Sequence, residues 1–203
     1  LFNGEHVQPN KEEGLKFIKK SSEFGEKIAN VVVKALFSDP NESKVDKVNV
    51  IECMNKEADK GDIEAMNKYG KHLYLGSGTQ INYKEAAKYF KIGADKGCAR
   101  SLLAYVQMLV NGNGIEKNEK EAIKYIKNAI DNNCDDADIF HCYGLMLHEG
   151  NGIEVNKKEA AKYLKMAADK GCVRAMSAYG SMHLIDSEIE RDLNEARRYI
   201  IMA

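Results

Sequence analysis

Residues 69–97 read YGKHLYLGSGTQINYKEAAKYFKIGADKG, and residues 143–171 read YGLMLHEGNGIEVNKKEAAKYLKMAADKG. They align without a gap: a Tyr-Gly pair, a Gly-x-Gly loop, an Asn with Glu three residues on, a second tyrosine and a closing Asp-Lys-Gly. The same features recur outward from them in steps of 36 residues with one step of 38. Lys60-Gly61, Lys96-Gly97, Asn132-Asn133 and Lys170-Gly171 mark one turn, while Glu85-Ala86, Glu121-Ala122, Glu159-Ala160 and Glu195-Ala196 mark a second point. The two markers lengthen at different steps, which puts a two-residue insertion near Asp135–Asp138. Self-similarity at this period is the signature of a stacked repeat.

Within a unit, Ala65, Met66, Tyr69, Gly70 and Leu73 are spaced as one buried helical stripe, and Ala86, Ala87, Tyr89, Phe90, Gly93 and Ala94 repeat that spacing after a short loop. The spacing predicts an A-type helix over 62–75 and a B-type helix closing at Asp95-Lys96-Gly97, with Gly97 suited to a left-handed cap. Asn82 with Glu85, Asn118 with Glu121, Asn156 with Glu159, Asp192 with Glu195 and Asn10 with Glu13 predict the B-type start, an Asx side chain accepting first-turn amides while Glu reaches back. Eight of the ten tyrosines fall in two columns, Tyr69, Tyr105, Tyr143 and Tyr179 on A-type helices and Tyr89, Tyr125, Tyr163 and Tyr199 on B-type helices. Repeated packing with the hydroxyl at the edge accounts for them better than ligand stacking. Small residues beside them, including Gly70, Gly144, Gly180 and Ala86, permit close helix approach, and Val106 breaks the glycine column.

The register divides the chain into a partial repeat at 1–25, a degenerate repeat at 26–61, repeats at 62–97, 98–133 and 134–171, and a truncated repeat at 172–203. Both ends cut through a unit where a solenoid places polar caps, so the natural chain is expected to continue past both.

The pattern Ala65, Tyr69-Gly70, Gly76-x-Gly78, Ala86, Tyr89, Ala94 and Gly97 resembles the Sel1-like repeat, a relative of the tetratricopeptide repeat. The resemblance covers essentially the whole chain. It departs at 26–61, where Lys34, Pro40 and Glu42 replace glycines, and in the last unit, where Asp186 and Glu188 do. It implies an all-α fold, a right-handed α-α superhelical solenoid of antiparallel helix pairs with 36–38 residues per repeat. It also implies a scaffold or adaptor activity in assembling protein complexes.

Helix A carries a further column about half a turn from its core stripe. It reads Lys68, Lys71, His72 and Leu75; Ala104, Gln107, Met108 and Asn111; Cys142, Leu145, Met146 and Glu149; Ala178, Ser181, Met182 and Ile185. It grows more apolar toward the C-terminus, and Lys71, His72, Gln107, Met108, Leu145, Met146, Ser181 and Met182 are the candidate partner-binding residues, with the methionines adapting to an apolar peptide or helix. The competing reading is that the methionines pack between helices. The glycine pairs in the loops follow helices, not strands, and lack the rest of a phosphate-binding motif, so they read as turns. His141, Cys142 and His148 lack metal-ligand spacing, and Cys98, Cys134 and Cys172 share a turn column with a neighbour distance beyond disulfide reach. Asp135, Asp136 and Asp138 stand in register with Arg100 and Arg174, giving either cross-repeat ion pairs or a solvated helix start. Lys84, Lys88, Lys91, Lys120, Lys124 and Lys127, interleaved with acids, read as a solvated outer face.

Thirty basic against 31 acidic residues in a 203-residue chain supply no field for a nucleic acid or an anionic membrane. No apolar run approaches a membrane span. Five cysteines, an odd number without a C-x-x-C pair, predict a reducing compartment and a cytoplasmic protein. The functional expectation is a non-enzymatic scaffold with a protein or peptide partner and no catalytic, cofactor-binding or metal residues. Two other readings compete with it: a regulatory array beside a catalytic domain outside this segment, and a β-lactam-binding or hydrolysing enzyme. The cysteine-rich relatives suggesting the last carry two cysteines per unit, which this chain lacks, and no Ser-x-x-Lys pattern is present.

Overall fold

The computed structural model describes residues 43–185 and 192–203, with side chains from residue 51 onward. The expectations for repeat 1–25, for residues 26–42 of the next repeat and for Asp186 and Glu188 fall outside the described residues. Among these residues the chain forms nine helices and no strand: α1 (Ser43–Asp59), α2 (Ile63–Leu75), α3 (Tyr83–Asp95), α4 (Ala99–Asn111), α5 (Glu119–Asp131), α6 (Ala137–Glu149), α7 (Lys157–Asp169), α8 (Val173–Ile185) and α9 (Leu193–Met202). Even-numbered helices are the A type and odd-numbered helices the B type, so the fold is the expected all-α array of helix pairs. The chain forms two compact units, one ending at Tyr89 and one beginning at Phe90, within α3.

Three of the A-type helices, α2, α4 and α6, stop on a glycine in the left-handed region. Gly76, Gly112 and Gly150 have φ of 69°, 72° and 79° and donate their N–H groups to the carbonyls of His72, Met108 and Met146. The loop then returns, and the N–H of Asn82, Asn118 and Asn156 donates to the carbonyl of Leu73, Leu109 and Leu147 at 2.8–2.9 Å. This modifies the expected capping box. The Asn side chains do accept from the N–H of Glu85, Glu121 and Glu159, but each glutamate takes a hydrogen from the Asn side-chain amide, because the Asn backbone N–H already holds the loop closed. Each such cap is worth about 1 kcal/mol.

In the first unit α1 packs on α2, with Ala58 and Ala65 wholly buried and Met66, Tyr69 and Leu73 in the core. The rings of Tyr69 and Tyr89 meet edge to face at 5.1 Å, and the Tyr89 hydroxyl donates to Asp59 at 2.8 Å.

The second unit repeats this arrangement. Tyr105 meets Tyr125, Tyr143 meets Tyr163 and Tyr179 meets Tyr199, with centroids 4.6–5.1 Å apart and planes near perpendicular. Such a pair contributes about 0.5–1.5 kcal/mol beyond area burial. Glycine lets the helices close on these rings: a Cβ at Gly144 would lie 2.7 Å from Leu164 and 3.2 Å from the Ala160 carbonyl, and one at Gly180 would lie 2.7 Å from Ile200. Where Val106 replaces glycine, α4 and α5 pack less closely.

The B-type tyrosine also reaches the preceding repeat. Tyr125 donates to Asp95, and Tyr199 to Asp169, thirty residues back in each case. Tyr163 follows Asp131 by 32 residues because of the insertion, and no hydrogen bond joins them; it feels that carboxylate only through space. At the insertion Asn133 is the only non-glycine residue at positive φ (60°) among the described residues, where Gly61, Gly97 and Gly171 stand in other repeats.

Burial is the leading cause raising the tyrosine pKa values, and neighbouring acids add to it: Glu121 for Tyr105, Glu159 for Tyr143 and Asp169 for Tyr199, each pushed up to about 12, with Tyr89 and Tyr179 higher still. A raised folded-state pKa favours the protonated phenol, so this stability is fully present below the unfolded value near 10 and is lost as pH rises through the folded values. The melting temperature is expected to fall steeply above pH 10, with tyrosinate absorbance appearing on unfolding; a flat melting profile to pH 12 would contradict it.

Two turn substitutions should have opposite signs. Gly152 has φ 73°, and a Cβ there would overlap the Glu119 carbonyl at the start of α5, so Gly152→Ala should cost about 2 kcal/mol or more in urea denaturation. Asn133→Gly removes a left-handed L-residue and should gain up to about 1 kcal/mol.

Candidate partner-binding face

The further column of the A-type helices splits in two. Met108, Met146 and Met182 are only 1%, 4% and 5% exposed, as in the competing reading that they pack between helices, while Met146 and Met182 also line the hollows described below. Each follows the A-column tyrosine by three residues, and a 100° turn per residue returns it to the tyrosine stripe. Their neighbours point outward: Lys71, Gln107 and Ser181 are exposed, and Leu145 is half-buried. His72 is half-buried and donates from Nδ1 to the Ser77 carbonyl at 2.7 Å. Lys71 and His72 belong to the first unit and are not among the residues that line the hollows described next.

In the second unit this face carries two adjoining hollows. One, of about 540 Å³, lies between α6 and α8, with Leu164 and Met182 at its base, Leu145, Ala178 and Ile185 around it, and Lys157, His148 and Glu149 also lining it. The other, of about 320 Å³, lies between α4 and α6, where Leu103 and Val110 face polar groups including Gln107, Asn111, His141, Asn151 and Arg174. Leu145 and Glu149 line both hollows. His141 and Cys142 thus line one hollow and His148 the other, and among the described residues no cluster of three His, Cys, Asp or Glu side chains is placed to hold a metal ion.

The inserted acids serve both of the roles expected for them. Asp136 caps α6, accepting from the N–H of Asp138 and Ile139. Asp135 pairs with Lys170 at 2.5 Å and Asp138 with Arg174 at 2.7 Å. Of the two arginines in register, Arg174 takes this pair, and Asp138 raises its pKa. These pairs are solvent-exposed, so they fix orientation more than they stabilise. Burial, and then Arg174, lowers the His141 pKa against a smaller opposing pull from Asp138, keeping the ring neutral at neutral pH. Burial pushes the Cys142 thiol up to about 11, so it is protonated and apolar in character there. The face therefore offers apolar pits with hydrogen-bonding groups beside them, which suits holding a chain segment.

The Sel1 repeat model matches residues 1–23, 63–98, 99–134, 143–172 and 173–203, most of the sequence. The chain belongs to the Sel1 repeat family. Repeats of this family commonly act as protein-interaction scaffolds. A Sel1 repeat protein from Oxalobacter formigenes is similar in fold, with a TM-score of 0.74 at 21% identity over 95% of this chain and 79% of that one. So is c5321, a protective antigen of uropathogenic Escherichia coli strains displaying an SLR fold, with a TM-score of 0.77 at 20% identity; the alignment covers 96% of this chain and 40% of that longer chain. No curated protein matches the sequence. Among the described residues no helix is long and apolar enough to cross a membrane.

The sequence had brought forward Gln107, Leu145 and Ser181, which sit at or beside the hollows, but not Leu103, Val110, Lys157 or Arg174. Leu103 and Val110 carry a usable signal, apolar side chains one position off the tyrosine stripe. Arg174 reaches the hollow from the start of α8, which column spacing within a single helix does not reveal.

Buried and exposed members of the column should respond oppositely. Met146→Glu, placing a carboxylate in the core, is expected to unfold the second unit or cost at least about 3 kcal/mol, whereas Gln107→Arg should stay within about 0.5 kcal/mol of the parent. Circular dichroism melts check both, and equal effects would contradict the assignment.

Proposed function

We propose that the chain is a non-enzymatic scaffold that holds a peptide segment of a partner protein on the A-type face of its second unit. The observation that carries this reading is the pair of adjoining hollows that share Leu145 and Glu149. Neighbouring A-type helices stand on the order of 10 Å apart. An extended segment rises about 3.3 Å per residue, so side chains three positions apart reach the two hollows. An apolar side chain would enter the larger one beside Leu145 and Ala178. The amides of Gln107, Asn111 and Asn151 would meet the segment's backbone at the smaller one.

Affinity capture from soluble cell extract with mass spectrometry tests this, using the parent, Gln107→Arg/Ser181→Arg in the hollows' rim, and Lys124→Glu on exposed α5 surface, all first shown to melt alike. The expected result is a specific partner set lost with the double variant and retained with Lys124→Glu. Retention of the same partners by the double variant would place binding elsewhere.

A further inference from the structure

Three cross-repeat devices are altered at one junction in the second unit. The turn glycine is replaced by left-handed Asn133. The tyrosine clamp that ties Tyr125 to Asp95 and Tyr199 to Asp169 is missing between Tyr163 and Asp131. The third device is a lysine column. Lys91 bonds to the Tyr125 hydroxyl at 2.5 Å, and Lys165 pairs with Glu195 and lies over the Tyr179 ring, each tying one repeat to the next. Lys127, the equivalent residue between them, is exposed and makes no such bond among the described residues. The helices α5 and α6 also pack less closely than α7 and α8.

The opposite end of the same junction is tight. Gly152, in the loop after α6, rests so closely on the Glu119 carbonyl at the start of α5 that any side chain would overlap it. One end of the α5–α6 interface is thus in hard contact and the other has lost its ties. We propose that this junction is a compliant joint, pivoting where Gly152 meets Glu119 and opening at the Asn132–Asp136 turn. Beyond it the next repeat boundary is fastened by Tyr199 to Asp169, Lys170 to Asp135 and Arg174 to Asp138. Movement at the joint therefore changes the hollow between α4 and α6 and leaves that between α6 and α8 fixed. The consequence for peptide binding rests on the scaffold reading above; the joint itself does not.

Hydrogen exchange followed by mass spectrometry on the whole chain, without ligand, tests the joint. Amides across 128–140 are expected to exchange about tenfold faster than the equivalent amides across 166–176. Equal or slower exchange would overturn the proposal. Deleting Cys134-Asp135 together with Asn133→Gly recreates the Gly-Asp turn found at Gly61-Asp62 and returns Tyr163 to a thirty-residue spacing from Asp131. In that variant the difference should shrink to within about threefold; a fold-competent deletion that keeps fast exchange would also overturn it. If the deletion fails to fold, the parent comparison still decides.

Discussion

The structure depends on an edge-to-face pair of tyrosines between the two helices of each of the four repeats from residue 62 onward. One ring meets another at about 5 Å where the helix backbones come close, and small residues beside the rings favour that approach, although Tyr105 keeps a 5.1 Å contact with Val106 beside it. Gly144 against Leu164 and Gly180 against Ile200 are that approach in two repeats. The paired rings then leave the B-type hydroxyl at the edge of the core, where it cannot stay buried without an acceptor. The last acid of the preceding B-type helix supplies one, so a contact inside a repeat also fixes how repeats stack.

This coupling explains why an insertion of two residues matters. The helices on either side of Asn132–Asp136 keep their caps, their length and their tyrosine pairs. What changes is the distance between an acid on one helix and a hydroxyl on another. Stacked repeats contact mainly their neighbours, so the effect stays at one boundary. The candidate face inherits it, because the α4–α6 hollow spans that boundary and the α6–α8 hollow does not.

Helix limits, caps and tyrosine columns were legible in the sequence because repetition amplifies weak local signals. Asn118 with Glu121 is an ordinary match by itself, but with Asn82–Glu85 and Asn156–Glu159 it defines a register. The partners of the tyrosine hydroxyls were not legible, since Asp169 and Tyr199 meet only after two repeats stack. The candidate site was half legible. A column half a turn from the core stripe sits at the boundary of burial, where one residue's rotation separates buried Met146 from half-buried Leu145. The hollows also draw on Arg174 and Lys157, which come from helix starts outside that column.

The most direct test of the stacking account is a pair of double-mutant cycles in thermal or urea denaturation. One joins Tyr199→Phe with Asp169→Asn, and the other Tyr163→Phe with Asp131→Asn. The account predicts a coupling energy of about 1 kcal/mol in the first cycle and close to zero in the second. Equal couplings in the two cycles would contradict it.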